Sequence, residues 1–348
     1  MRFEHVRLAA VRHVLPDEVV SSESLEERLA PLYERLRLRV GRLELMSGIR
    51  ERRFWARGTR PSDAAARAGG EALRAAGPAA ERVALLVHGA VSRDFLEPAT
   101  AARVHALLHL PPTCAFFDLS NACLGLLSGL EVAASQIELG ALEAALVVSG
   151  EDGRGLVEQT LAGLLAHSGD DASLRAALKL AFASLTIGSG AAAVVLAHER
   201  LAPGSPRVVG SLTRVASEHH ELCQGDRAGA AGAEMATDSE ALLEAGVALA
   251  AQNYAGFLDT LGWRSADVAR VVTHQVGSAH RRALFQRLEL DPARDFSTFE
   301  TLGNTGSAAL PTALSLALEQ RPLARGEKMA LLGIGSGLAC TRLGLEGA

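Results

Sequence analysis

An internal repeat constrains this sequence more than any other feature. Three segments of the first half have similar counterparts about 180 to 187 residues later. A nearly constant offset in three places indicates a duplicated unit, so the chain is expected to fold as two related halves. The paired segments are Glu81–Ser92 with Asp267–Ser278, Phe116–Leu127 with Phe296–Leu310, and Gly140–Gly150 with Gly326–Gly337.

Within each half, apolar strand-like runs alternate with helical stretches. Val83–Val91 and Ile187–Ala197 have the continuous apolar character of buried strands, whereas Leu124–Leu139 has helical spacing and closes at Gly140. This alternation predicts an α/β fold in which each half has a central sheet covered by helices. We place the halves at residues 1–200 and 201–348, and we expect loops at the strand ends of both halves to meet at a shared site.

Composition excludes several classes of function. The net charge is −5 and no run of Lys and Arg could neutralise phosphates, so we do not expect nucleic-acid binding. No apolar run approaches the roughly 20 residues of a membrane span. The four cysteines form no CxxC pair, which argues against a metal site. Reduced thiols and an N-terminus without an apolar signal region predict a cytoplasmic protein.

Cys123 is the first candidate for chemistry. It follows a short strand and a polar turn, and it begins the predicted helix. A thiol at a helix N-terminus feels the positive end of the helix dipole, which favours the reactive thiolate. The alternative is that Cys123 is a small buried apolar residue. The other cysteines have weaker cases, because Cys114 lies in a strand, Cys223 in a polar loop and Cys340 in the last apolar run.

His274 and Asn304 are the second and third candidates. His274 directly follows a predicted strand, and Asn304 lies in a glycine-flanked turn before a helix. Taken singly, the histidine could be structural and the asparagine a helix cap. The repeat, however, places the Asn304 turn at the position that corresponds to the Cys123 turn. Together the three residues have one chemical logic. The cysteine accepts an acyl group, and the histidine and asparagine donate hydrogen bonds that stabilise an enolate oxygen.

The glycine-rich turn Gly333–Leu338 offers closely spaced backbone N–H groups without bulky side chains. Such a turn suits an oxyanion hole. The alternative is a turn that only lets the chain pass a crowded place.

The sequence resembles the thiolase superfamily, and within it the ketoacyl-ACP synthase III group, over nearly its whole length. The resemblance implies a thiolase fold, a five-layered αβαβα sandwich. It also implies catalysis by Cys123, His274 and Asn304, an oxyanion hole that includes the backbone amide of Ser336, and no metal or redox cofactor. The matching segments occur in the family's order: NACLGLLSGLEVA, THQVG, LGNTGSAALP and LLGIGSGL.

A further segment, VSRDFLEPAT, resembles a subgroup of the family that starts bacterial olefin synthesis by condensing two fatty acyl-CoA thioesters without decarboxylation. In that subgroup a glutamate of this segment crosses the dimer interface as the base, which implies a homodimer and assigns the role to Glu97. The alternative for Glu97 is a surface carboxylate held extended by Pro98. The product would be a 2-alkyl-3-oxoacyl thioester, and other olefin-pathway enzymes are possible partners.

Three other functions share part of this pattern. A decarboxylating synthase that uses malonyl-ACP, or a related natural-product ketosynthase, would keep the same Cys, His and Asn set. An acyltransferase or thioesterase would use the cysteine without forming a carbon–carbon bond. A scaffold subunit would keep only the fold. The sequence leaves open the acyl chain length and the choice between CoA and a carrier protein as donor.

Overall fold

A computed structural model describes residues 1–225 and 235–348 of the chain. Its strands are β1 (Val6–Val14), β2 (Glu18–Ser21), β3 (Glu51–Phe54), β4 (Val83–Gly89), β5 (Ala115–Leu119), β6 (Ala144–Glu151), β7 (Gly190–His198), β8 (Arg207–Val215), β9 (Cys223–Gly225), β10 (Met235–Thr237), β11 (Val268–Thr273), β12 (Lys328–Gly335) and β13 (Ala339–Glu346).

Helices connect most of these strands. They are α1 (Ser22–Arg28), α2 (Ala30–Arg35), α3 (Arg42–Ser47), α4 (Pro61–Ala76), α5 (Thr100–Leu107), α6 (Gly125–Glu138), α7 (Arg154–Leu165), α8 (Asp171–Ala181), α9 (Ser239–Leu261), α10 (Ser278–Leu288), α11 (Phe299–Leu302) and α12 (Ala309–Gln320). None of the helices in the described ranges is long and apolar enough to cross a membrane.

The two halves repeat one strand order. In the first half the order is β5-β4-β6-β7-β1, with β4, β5 and β6 parallel to one another and β7 antiparallel to its neighbours. In the second half β11, β12, β13 and β8 follow the same order, and a single parallel bridge between Val271 and Asp295 takes the place of β5. The halves join where Arg7 of β1 pairs with Arg207 of β8. This arrangement confirms the predicted mixed α/β fold.

Strand alternation divides the apolar residues into layers. Alternate residues of β6 and β7 face α4, where Leu146 and Val195 belong to one core. Their neighbours Val147 and Val194 face the middle of the molecule and share a core with α6, α12 and the inner face of β12. The outer face of the second half packs under α9 and α10. Helix and sheet therefore alternate through five layers, with the two halves of one nine-stranded sheet around the central helices.

The N-terminal turn of α6 makes an unusually close backbone contact with the end of β4. A Cβ added to Gly89 would clash with the carbonyl of Gly125, and one added to Gly125 would lie 2.8 Å from the carbonyl carbon of Gly89. Neither glycine has a positive φ, so the requirement for glycine here is one of space. Because Gly125 follows Cys123 by two residues, this contact fixes the height of the Cys123 turn above the sheet.

Replacing Gly89 with alanine should therefore destabilise the protein. Overpacking against backbone atoms typically lowers the free energy of unfolding by about 1–3 kcal/mol. Urea unfolding followed by circular dichroism measures the change. The matched control is Gly163→Ala in α7, where an added Cβ meets no atom within 4 Å. That variant should be unchanged or up to about 1 kcal/mol more stable, because alanine favours a helix. Equal behaviour of the two variants would contradict the steric account.

Candidate active site

Cys123 lies on a tight turn between β5 and α6. The preceding residue, Ala122, has a φ of 44°, a left-handed conformation that residues with a Cβ rarely adopt. Ala122–Leu124 form one turn of 3₁₀-helix, and α6 continues from Gly125. The sequence placed Cys123 at the start of this helix, and the structure places it one 3₁₀ turn before the α-helical hydrogen bonds begin. The strained turn at Ala122 sets the direction in which the thiol leaves the backbone.

The surroundings of the thiol differ from the sequence-based expectation. Burial raises the pKa of Cys123 to about 12, and the charge of Glu151 adds to the effect. The expectation that the helix start would favour the thiolate is therefore wrong for the resting protein, because loss of hydration outweighs the contribution of the helix. The thiol is neutral at rest and must lose its proton when it attacks.

Asn304 lies in a turn between α11 and the helical turn Gly306–Ala308. Its backbone is fixed on both sides, since Asn304 N–H donates to Thr186 O (3.0 Å) and Asn304 O accepts from Gly188 N–H (2.9 Å). The side-chain Oδ1 accepts from Gly306 N–H at 3.1 Å. That bond orients the amide and leaves its NH₂ group to donate to a substrate oxygen.

His274 follows β11 and is 5% exposed. Its backbone N–H donates to Leu332 O at 3.0 Å, which continues the β11–β12 pairing. Burial lowers the pKa of His274 to about 3, with a smaller contribution from His280. The Nδ1 atom is buried without a hydrogen-bond partner among the described residues. A neutral imidazole can donate one hydrogen bond or accept one proton, as the reaction requires.

Backbone contacts bring these segments together. The N–H of Leu126, in the first turn of α6, donates to Ser307 Oγ at 2.7 Å, which joins the Cys123 and Asn304 turns. An added Cβ on Gly335 would lie 3.4 Å from the backbone nitrogen of Leu124, so the end of β12 also touches the Cys123 turn. The shared site that the repeat predicted is thus an actual meeting point of loops, whereas the catalytic roles stay predictions.

The glycine-rich segment forms a hairpin rather than an open loop. β12 runs through Gly335, Ser336 and Gly337 make the turn, and β13 begins at Ala339. Gly337 has a φ of 111°, which favours glycine. The amide of Ser336 therefore lies at the hairpin tip, next to the strand end that touches the Cys123 turn.

A buried arginine holds this hairpin and lies near His280. Arg342 is 1% exposed and donates to Gly333 O at 2.7 Å. It lies close enough to His280 to lower the pKa of that residue, which burial mainly brings to about 4. A fixed positive charge beside His280 disfavours protonation of that imidazole. No pattern in the sequence indicates this role, because an arginine in a terminal strand is usually on the surface.

Glu97 does not lie in the buried part of this site. It is exposed on a loop between β4 and α5, and a cis peptide bond joins it to Pro98. Leu96, beside it, is 94% exposed, and Phe95 is 48% exposed. The carboxylate of Glu97 is therefore at the surface of the single chain, beside exposed apolar side chains.

Glu151 is a site residue that the sequence analysis missed. It ends β6, is 4% exposed, and its charge acts on Cys123. Burial raises its pKa, while hydrogen bonds from the amides of Val91, Ser92 and Ser307 act in the opposite direction. The only sequence signal was an acidic residue directly after an apolar strand, and surface ends of strands carry the same pattern.

No cluster of three His, Cys, Asp or Glu side chains in residues 1–225 and 235–348 is arranged to hold a metal ion. The cysteines in these ranges are free thiols.

Comparison with known protein families finds matches in both halves of the chain. Residues 117–213 match the family model of 3-oxoacyl-[acyl-carrier-protein] synthase III, and residues 258–345 match the model of its C-terminal part. An acyl-CoA:acyl-CoA alkyltransferase of Xanthomonas campestris is 38% identical over 98% of this chain and 98% of its own. The enzyme of that name from Shewanella oneidensis is also 38% identical, over 99% of this chain and 100% of its own.

The fold has a solved counterpart as well. A crystal structure of Xanthomonas campestris OleA, in a variant with one cysteine replaced by alanine, superposes with a TM-score of 0.93 at 36% identity. The match covers 99% of this chain and 98% of that chain. The thiolase fold is therefore that of the whole chain and not of one half.

The raised pKa of Cys123 makes its reactivity depend on pH. Only the thiolate is alkylated, so the rate of Cys123 modification by iodoacetamide should rise steadily from pH 6 to pH 9, by about tenfold per pH unit. Peptide mapping by mass spectrometry separates Cys123 from the partly exposed Cys223. A rate that is already constant between pH 6 and 8 would show a resting thiolate and contradict this account.

Proposed function

Because the chain belongs to the 3-oxoacyl-[acyl-carrier-protein] synthase III family, with acyl-CoA:acyl-CoA alkyltransferases among its relatives, we propose that it joins two fatty acyl-CoA molecules by a non-decarboxylative Claisen condensation. The observation that carries the proposal is the convergence of the Cys123 turn, the Asn304 turn and the β12–β13 hairpin at one place. No cofactor takes part in the proposed reaction.

In the first half-reaction Cys123 attacks the carbonyl carbon of an acyl-CoA. The thiol proton leaves as the sulfur–carbon bond forms, and the departing CoA thiolate is its final acceptor. The amides of Cys123 and Ser336 stabilise the oxyanion of the tetrahedral intermediate. CoA departs as its thiol after it takes up the proton, and an acyl thioester remains on Cys123.

The second half-reaction needs a carbanion. A second acyl-CoA loses a proton from its α-carbon, and the enolate oxygen accepts hydrogen bonds from Asn304 and His274. The α-carbon then attacks the acyl group on Cys123, the new carbon–carbon bond forms, and the Cys123 sulfur leaves. The product is a 2-alkyl-3-oxoacyl thioester, whose hydrolysis would give the β-keto acid.

The need for a base separates this reaction from a decarboxylating one. Loss of CO₂ from malonyl thioester produces the carbanion directly, whereas a plain acyl thioester must be deprotonated. Glu151 is poorly suited to this task, because its two oxygens already accept three backbone amides. We assign the role to Glu97 of the partner subunit, which would lose its hydration, and so become a stronger base, on entering the apolar site.

A second copy of this chain would cover an apolar surface whose exposure to water is unfavourable. β5 is the last strand of its sheet, and its edge is open in the single chain. Phe116 and Phe117 of that strand are 44% and 36% exposed, and the strand pairs with β4, which leads into the loop of Leu96. An exposed apolar sheet edge is a surface that proteins normally cover. A homodimer through β5 would bring Glu97 to the partner subunit.

The Glu97→Gln substitution tests the proposal. It removes the base but keeps the shape, so condensation of myristoyl-CoA should fall by about 100-fold or more. Formation of acyl-Cys123, measured by intact-protein mass spectrometry, should keep its rate, because the first half-reaction does not use Glu97. The control is Glu81→Gln, an exposed carboxylate before the opposite end of β4.

A Glu97→Gln variant that condenses myristoyl-CoA at nearly the unmodified rate would contradict Glu97 as the base. Carbon–carbon bond formation only after malonyl-ACP is added would instead identify a decarboxylating synthase.

A further inference from the structure

Glu151 is a buried carboxylate that is hydrogen-bonded to two separate loops of the site. Its Oε1 accepts from Val91 N–H at 2.9 Å and from Ser307 N–H at 3.0 Å, and its Oε2 accepts from Ser92 N–H at 2.9 Å. A buried charge is costly unless such donors satisfy it. Glu151 therefore cannot move without releasing both loops.

One of these loops carries Asn304. Ser307 belongs to the same turn, and an added Cβ on Gly306 would lie 2.9 Å from Glu151 Oε1, so the carboxylate directly supports the turn. Within its own chain, Glu151 thus fixes the position of the Asn304 turn relative to Cys123.

The other loop carries Glu97. Val91 and Ser92 open the segment 91–99, which Glu151 holds at its beginning. Asp118 holds the end of the segment, since its carboxylate accepts from the N–H groups of Thr100 and Ala101 at 2.8 Å each. Between these two anchors the segment is largely exposed. A short loop that is fixed at both ends presents its middle residues in a defined direction.

We propose that Glu151 is a positioning residue that serves both active sites of a dimer: it fixes Asn304 in its own site and aims Glu97 into the site of the partner subunit. This inference rests on the proposed function, in which Glu97 acts across the interface. A glutamine at position 151 would keep one acceptor oxygen and would turn an NH₂ group toward an amide donor, so at least one of the two loops would be released.

Mixed dimers separate the two roles. The parent pair combines a Glu97→Ala chain, which keeps Cys123, with a Cys123→Ala chain, which keeps Glu97. Co-expression with two affinity tags isolates the pair, in which one site has all of its groups. Glu151→Gln is then added to one chain at a time, and both acyl-Cys123 formation and condensation of myristoyl-CoA are measured.

Placed in the Cys123→Ala chain, Glu151→Gln should lower condensation by about 100-fold, the effect expected of a misplacement near 1 Å. Acylation of the other chain should stay within about twofold of the parent pair, because its own Glu151 is intact. Placed in the Glu97→Ala chain, the substitution should again lower condensation, here through Asn304. Glu151→Asp, which keeps both acceptor oxygens on a shorter side chain, should have a smaller effect.

Glu26→Gln is the matched control. Glu26 is 1% exposed, and its carboxylate accepts from the N–H groups of Gly41 and Leu43, but it lies away from both loops. This control should lower thermal stability without lowering condensation in the mixed dimer.

Two results would overturn the inference. The first concerns Glu151→Gln in the Cys123→Ala chain. If condensation then stays within about twofold of the parent pair, Glu97 is positioned in the partner's site without the help of Glu151. An equal loss from Glu26→Gln would show that the effect is general instability. A parent pair that does not condense at all would contradict the proposed function itself, and this result is seen before Glu151 is changed.

Discussion

The structure depends on one close backbone contact, between the end of β4 and the first turn of α6. Gly89 and Gly125 leave no room for a Cβ at this point, so the Cys123 turn rests directly on the sheet. From there the same turn meets the second half, through Leu126 and Ser307 and through Leu124 and Gly335. The duplicated halves therefore meet at Cys123, the proposed nucleophile, and a change in their packing would move its sulfur.

Electrostatics then decides which state each group of the site adopts. Burial keeps the Cys123 thiol and the His274 imidazole neutral in the resting protein. The polar groups that remain inside, Glu151 and Arg342, are held by backbone amides and carbonyls. With the thiol and the imidazole both neutral, the proton of Cys123 has to leave as its sulfur attacks a substrate carbonyl.

Much of this could be predicted from the sequence, because the repeat carried long-range information. It indicated the two α/β halves and the correspondence between the Cys123 and Asn304 turns, and local patterns supplied the strands before them. The pKa of Cys123 could not be predicted, since it depends on burial by both halves. Glu151 escaped notice because its partners lie 156 and 60 residues away, and such distances do not appear in a local pattern. Arg342 was missed because an arginine in a terminal strand is usually on the surface.

The central claim is that this site forms a carbon–carbon bond between two plain acyl thioesters. It is tested most directly by incubating the purified protein with myristoyl-CoA as the only substrate and analysing the extracted products by mass spectrometry. We expect the β-keto acid formed from two myristoyl chains, or the ketone that remains after this acid loses CO₂. Free myristic acid as the sole product, with acyl-Cys123 on the protein, would contradict it.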